Sequence, residues 1–144
     1  MRCGGITQMK SNKNFRANNN VVFSCIYHVI WCTKYRKKLL AGKIEARLKQ
    51  ICKDVSKEYF FNIQEMECDG DHIHLLIDVD PQFGIHKAVK RMKGRSSRLL
   101  RLEFPILKTS LPTLWTNSYF VASCGGAPLS VIKQYIENQQ LREK

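Results

Sequence analysis

Asp69-Gly70 lies between two runs that alternate apolar and polar residues, "FNIQEMEC" before it and "DHIHLLIDVD" after it. An Asp-Gly pair in that setting is a strong hairpin signal, because the tight turns that match twisted strands need positive φ, which Asp tolerates and Gly adopts freely. Two antiparallel strands follow. Side chains on a strand alternate between faces, so Ile73, Leu75 and Ile77 share one side while His72, His74, Leu76 and Asp78 share the other. A two-residue loop places Cys68 opposite Asp71, Glu67 opposite His72 and Glu65 opposite His74, which makes the second side acidic as well as rich in imidazole. One side is built for burial, and the other offers two nitrogen ligands.

The remaining pattern builds a sheet around this hairpin. From Val21 to Thr33, "VVFSCIYHVIWCT" is dense in β-branched and aromatic residues on both faces, which predicts a central strand covered on both sides. Residues 42–60 switch to helical spacing through Ile44, Leu48, Ile51, Val55 and Tyr59, and residues 84–104 do so again through Ile85, Val89, Met92, Ser96 and Leu99. After a loop containing Pro105 and Pro112, "LWTNSYFVASCGG" reads as a strand, and "APLSVIKQYIENQQLREK" as a last helix with Pro128 in its first turn. The order strand, helix, strand, strand, helix, strand is that of an α+β, ferredoxin-like (RRM-like) domain, an antiparallel sheet with two helices on one face, here with an extra C-terminal helix. At 144 residues and 44% hydrophobic, the chain suits one domain with a real core. Residues 1–20, polar and rich in Asn, read as a flexible arm, with Met9 a second candidate start, and residues 21–144 as the domain.

Charge narrows the partner. The chain carries 24 Lys plus Arg against 12 Asp plus Glu, a net +12, which points to a polyanion, nucleic acid ahead of an anionic membrane. No run approaches the roughly 18 apolar residues of a membrane span, and the N-terminus lacks the apolar centre of a signal peptide, so a cytoplasmic location is expected. The six cysteines, Cys3, Cys25, Cys32, Cys52, Cys68 and Cys124, are scattered without a C-x-x-C pair, which argues against zinc-finger and redox motifs; most are expected to be small core residues.

The positive charge concentrates in two places. One is "KYRKK", containing Lys34, Arg36, Lys37 and Lys38. The other is the second helix, where Lys87, Arg91, Arg95, Arg98 and Arg101 form a ridge with Lys90 and Lys93 beside it and Glu103 the only acid. Solvated helix faces normally mix signs; this one hardly does, which favours phosphate binding. On the last helix, Tyr135 and Gln139 stand one turn apart, presenting a phenol and an amide oxygen side by side. Alone, each is ordinarily a packing or solvent-facing residue. His28 reads as a hydrogen-bonded interior residue and His86 as an exposed one, neither belonging to a site.

Together these segments resemble the single-tyrosine HUH transposases of small bacterial and archaeal insertion sequences, the TnpA-like enzymes that move single-stranded DNA. The resemblance runs from about residue 22 to 140, through "YHVIWCTKYRKK", "DHIHLLI", "MKGRSS" and "SCGGAPLSVIKQYIENQ" in that order. One departure is Thr33, where the family often has proline; it lies outside the catalytic set. The resemblance implies that His72 and His74 bind a divalent metal ion (Mg²⁺ or Mn²⁺), that Gln139 completes the protein ligands, and that Tyr135 is the nucleophile, forming a 5′-phosphotyrosine intermediate. Two imidazoles and one amide oxygen suit Mn²⁺ better than Mg²⁺, which prefers oxygen-only shells. Tyr135 needs help losing its proton, from metal proximity or Lys133, and the sequence leaves the general base open. Glu65 and Glu67 are candidate orienters of the imidazoles, against the plainer reading of surface pairing.

The implied partners are single-stranded DNA with hairpin ends, held chiefly through phosphates by Lys34, Arg36, Lys37, Lys38, Lys87, Lys90, Arg91, Arg95 and Arg98, and a second copy of the chain in a homodimer. The resemblance further implies that the last helix, freed by a Gly125-Gly126 hinge, presents Tyr135 to the histidines of the partner subunit, with a site completed within one chain as the alternative. The competing reading is a non-catalytic RRM-like nucleic-acid-binding module, which wants exposed aromatics on its sheet and has no use for Tyr135 and Gln139 one turn apart. A third is a metal-dependent nuclease that hydrolyses with water and forms no protein–DNA adduct.

Overall fold

Gly70 turns with φ 68°, and the hairpin it closes joins β4 (Asn62–Cys68) to β5 (His72–Asp78). The computed structural model of the chain describes residues 16–17, 20–124, 134 and 136–138. Its other elements are β1 (Arg16–Ala17), β2 (Val22–Phe23), β3 (Ile26–Cys32), α1 (Gly42–Tyr59), α2 (Ile85–Glu103), α3 (Pro105–Thr109) and β6 (Phe120–Ser123). Four strands form an antiparallel sheet in the order β4-β5-β3-β6, and β1 pairs with β2 in a separate two-stranded ribbon. Read along the chain, β3-α1-β4-β5-α2-β6 is the split βαβ arrangement expected of a ferredoxin-like domain.

Both long helices pack on one face of the sheet. Val29 and Trp31 of β3 and Ile73, Leu75 and Ile77 of β5 meet Leu48, Ile51, Cys52 and Val55 of α1 and Ala88, Val89, Met92 and Leu100 of α2 in one buried cluster. The spacing of those residues is what makes the segments helical: an apolar stripe at three- and four-residue intervals has its greasy side against the sheet. Ser96, on that stripe, is buried because its hydroxyl accepts the Trp115 Nε1–H at 3.0 Å. The stripe ends on Leu100, with Leu99 half-buried beside it.

The hairpin register differs from the expected one by two residues. Cys68 pairs with Ile73, Glu67 with His74, Met66 with Leu75 and Glu65 with Leu76, and an irregularity between Glu65 and Ile63 then shifts the pairing by one, to Ile63 with Ile77 and Asn62 with Asp78. The loop is longer because its residues are engaged elsewhere: Leu40 N–H donates to the Gly70 carbonyl at 2.8 Å and Thr33 N–H to the Asp71 carbonyl at 2.9 Å. A shift of two preserves faces, so Glu67 stays on the imidazole side.

Three further boundaries moved for local reasons. The single strand expected over 21–33 is broken at Ser24-Cys25, where the Asp78 carboxylate accepts the Cys25 N–H at 3.2 Å. The last strand of the sheet is only Phe120–Ser123, because Trp115 makes one isolated bridge to Thr33 while the carbonyls of Thr116 and Ser118 accept from Lys93 Nζ at 2.8 and 3.2 Å. Pro105 opens the short helix α3 where a loop was expected, its missing N–H costing nothing in a first turn. Arg16 and Ala17, inside the stretch read as an arm, are held: the Arg16 guanidinium reaches the Asp78 carbonyl at 2.7 Å and lies over the Phe23 ring. Of the cysteines, Cys32 and Cys52 are core residues, Cys25 and Cys68 are half-buried and Cys124 is exposed; Cys3 lies outside the described residues.

Candidate active site

β5 carries His72 and His74 on the side away from the helices, beside Cys32 and Ile30 of β3 in register. The better fixed of the two is His72, whose Nδ1 lies 2.8 Å from Asp71 Oδ1. A carboxylate only accepts, so the proton of the neutral ring sits on Nδ1 and the lone pair on Nε2. Asp71 is itself fixed by Arg36, with Nη2 to Oδ2 at 2.9 Å and both side chains only 9% exposed. The other arm of the same guanidinium donates to the backbone carbonyl of Ile136 at 2.6 Å. Four residues scattered through the sequence thus form one hydrogen-bonded chain ending at His72.

Local backbone geometry aims Arg36 inward. Tyr35 and Arg36 both have positive φ, 59° and 54°, a conformation that costs bulky residues of order 1–3 kcal/mol each and persists only where neighbours over-determine it. Here they do. Lys34 N–H donates to the Leu114 carbonyl at 2.8 Å, Arg36 N–H to that of Thr33 at 3.0 Å, and Thr33 Oγ1 to the Lys37 carbonyl at 2.7 Å.

His74 has a different neighbour. Its Nε2 lies 3.2 Å from His28 Nδ1, and the two rings stack with centroids 5.4 Å apart. Burial, then the adjacent His28, pulls the His74 imidazole below the usual histidine range, with Glu67 and Glu65 opposing, so His74 is neutral near pH 7. His28, which the sequence reads as an interior residue outside any site, thus touches His74. On antiparallel strands a residue reaches its diagonal partner two positions away, and the β3–β5 register, which strand alternation alone does not give, makes His28 diagonal to His74. His86, which the sequence likewise reads as outside any site, bonds through Nδ1 to the Tyr119 hydroxyl at 2.9 Å. Glu65 and Glu67 are exposed, and the carboxylate that holds an imidazole is Asp71, the residue immediately before the strand.

Tyr135, Gln139 and Lys133 lie outside the described residues, as does the Gly125-Gly126 pair. Residues 134 and 136–138 are helical. Among the described residues no group of three or more His, Cys, Asp or Glu side chains gathers to hold an ion. Two imidazoles on one strand face, one oriented through Nδ1 by a carboxylate, do fit a borderline divalent ion, which takes ring nitrogens fixed from behind.

The basic residues divide by what they touch. Lys37 and Lys38 are exposed and Lys34 lies over the Tyr35 ring, whereas Arg36 faces inward. On α2, Lys87 lies over Phe83 and Arg91 over Tyr59, Arg95 pairs with Glu58 of α1 at 2.7 Å, and Lys90 and Arg98 are exposed. These α2 cations and Tyr59 line an open groove of about 520 Å³. A larger one, about 780 Å³, continues past Arg98 and Arg101 to Lys108, away from the histidines. Deeper, burial pulls the Lys93 ammonium down to about 8, beside the two carbonyls that hold it. Among the described residues no helix is long and apolar enough to cross a membrane, and the exposed aromatics are Tyr35 and Phe60, neither on the four-stranded sheet.

The chain matches known proteins over most of its length. A model of the IS200-like transposase family matches residues 21–139. The ISDra2 transposase TnpA of Deinococcus radiodurans is 36% identical over 124 residues, covering 85% of this chain and 89% of that protein. The transposase of insertion sequence element IS200 from Salmonella typhimurium is 28% identical, covering 85% and 81%. Among solved structures, a Deinococcus radiodurans transposase superposes with a TM-score of 0.76 at 35% identity, covering 85% of this chain and 96% of that one. A REP-associated tyrosine transposase bound to a REP hairpin shares the fold alone, with a TM-score of 0.53 at 12% identity over 69% and 55% of the two chains. With the histidine-bearing strand, the ferredoxin-like sheet and these matches in agreement, the chain belongs to the IS200-like transposase family.

Proposed function

We propose that this transposase is a metal-dependent enzyme that cleaves and rejoins single-stranded transposon ends through a 5′-phosphotyrosine intermediate on Tyr135. The observation that carries this reading is the bond from Arg36 to the Ile136 carbonyl: the residue next to Tyr135 in sequence is tied, through Arg36 and Asp71, to His72. A phosphodiester is anionic; His72, His74 and Gln139 would hold a divalent ion, which when bound would supply the Lewis-acid neutralisation an attacking oxyanion needs. Tyr135 Oη attacks phosphorus, an Oη–P bond forms, the P–O3′ bond breaks, and the departing 3′-oxygen takes up a proton. A phosphotyrosine ester conserves the energy of the broken bond, so a 3′-hydroxyl reverses the step and seals a new junction without a nucleotide cofactor.

Lys34, Lys37, Lys38 and the α2 ridge hold a hairpin end through its phosphates, reading shape more than base edges. Replacing Arg91, Arg95 and Arg98 together weakens hairpin binding and flattens its salt dependence. The active unit is a homodimer; mixing an inactive histidine variant with an inactive Tyr135→Phe variant restores cleavage if subunits share the site, and leaves it dead if each chain supplies its own.

The deciding experiment incubates the protein with labelled single-stranded ends and Mn²⁺. A denaturing gel then shows a protein–DNA adduct, its mass on Tyr135, absent in Tyr135→Phe. Cut strands without adduct indicate hydrolysis by water, and binding without cutting indicates a recognition module.

A further inference from the structure

The carboxylate of Asp71 is shared: Oδ2 takes Arg36 Nη2 at 2.9 Å and Oδ1 takes His72 Nδ1 at 2.8 Å, in a setting where both Asp71 and Arg36 are 9% exposed. Both neighbours of this carboxylate present hydrogens to it, and with little water present neither can find another acceptor cheaply. We propose that Arg36 and Asp71 are positioning residues for His72. By occupying one carboxylate oxygen, the guanidinium leaves the other to accept the Nδ1–H, which fixes the imidazole in the tautomer whose Nε2 lone pair is free; its other arm holds the carbonyl of Ile136 in the same unit. Arg36, one of the cations expected to bind DNA, then acts through Asp71 and Ile136. What this does for an ion at Nε2 rests on the proposed function; the tautomer does not.

The polarity of this chain gives a test that a merely structural role would not pass. In Asp71→Asn the side chain keeps its shape but has one acceptor. Arg36 can only donate and claims the amide oxygen, so the amide NH₂ faces His72 Nδ1 and the ring proton moves to Nε2. The ¹⁵N spectrum of the metal-free protein, read on the neutral His72 ring, is expected to change from Nδ1–H to Nε2–H. Mn²⁺ affinity, followed by the paramagnetic resonance of the free ion, falls about ten- to a hundredfold. Adding Arg36→Met frees the amide to turn back: Nδ1–H and Mn²⁺ affinity return, while adduct formation stays low because the Ile136 carbonyl has lost its donor. An unchanged tautomer in Asp71→Asn overturns the proposal, and should the double variant fail to fold, that single result decides it. Adduct formation that recovers with Mn²⁺ affinity removes Ile136 from the unit. A wild-type protein that binds no Mn²⁺, yet shows the tautomer change on substitution, supports the positioning and defeats the metal reading instead.

Discussion

The two sides of β5 are made from one run of seven residues and obey different rules. Toward the helices, Ile73, Leu75 and Ile77 are completely buried and interchange with neighbours only through shape. Away from them, His72 and His74 are half-buried, and each is bound through a ring nitrogen, one to a carboxylate and one to another imidazole. On the helix side volume is what cannot change; on the imidazole side it is the identity of the donor and acceptor atoms.

Substitutions on the same strand should therefore separate stability from chemistry. The largest effect expected is on the imidazole side: His72→Ala leaves Asp71 paired with Arg36, so unfolding free energy should change by no more than about 1 kcal/mol, while adduct formation falls at least about a thousandfold, or some 4 kcal/mol. Next comes Leu75→Ala, which opens a cavity in the helix-packed core and should cost about 2–5 kcal/mol in denaturant unfolding, with adduct yield per folded molecule kept. If the two variants lose stability equally, the division between the sides is wrong.

Much of that division was legible beforehand, because a period of two and an Asp-Gly turn depend only on local geometry. The side assignments of His72, His74, Ile73, Leu75 and Ile77 needed nothing else. The register did not follow, since it depends on what captures residues 70 and 71, and Leu40, Thr33 and Arg36 are thirty or more positions away. Asp71 is hidden for the same reason: a two-residue loop makes it the cross-strand partner of Cys68, whereas it points to its sequence neighbour and to Arg36. Arg36 reads in sequence as one of a cluster of surface cations, and only two successive left-handed residues turn it inward.

Lys93 sharpens the comparison from the helix side, where it is a cation placed by packing. Burial lowers its folded value to about 8 from 10.5, so below pH 8 the ammonium is carried at a cost in the folded state only. Between pH 8 and 10.5 the unfolded chain binds more protons than the folded one, and stability rises with pH across that window. Against Lys93→Met, which has no such proton, the wild-type protein should gain on the order of 1 kcal/mol over this range in denaturant unfolding, a figure reduced for solvent screening of a partly exposed side chain. A flat difference would mean that the Thr116 and Ser118 carbonyls fully offset the burial.

The smallest effect tests whether the outer surface of the helix layer belongs to stability or to chemistry. Arg95 sits in the α2 groove and also bonds Glu58 of α1, whose carboxyl it holds below the usual range, chiefly through that hydrogen bond. Exposed pairs of this kind contribute little to folding, so Glu58→Gln should leave the melting temperature almost where it was. What it releases is a cation: with its acid gone, Arg95 is free for phosphate, and single-stranded DNA should bind roughly two- to threefold more tightly at low salt, the gain fading as salt screens it. Arg95→Ala should do the opposite, weakening binding and lowering the salt slope by about 1. If Glu58→Gln instead lowers the melting temperature and leaves DNA binding unchanged, Arg95 is a seam residue between α1 and α2, and the DNA-facing ridge shortens to Lys87, Lys90, Arg91 and Arg98.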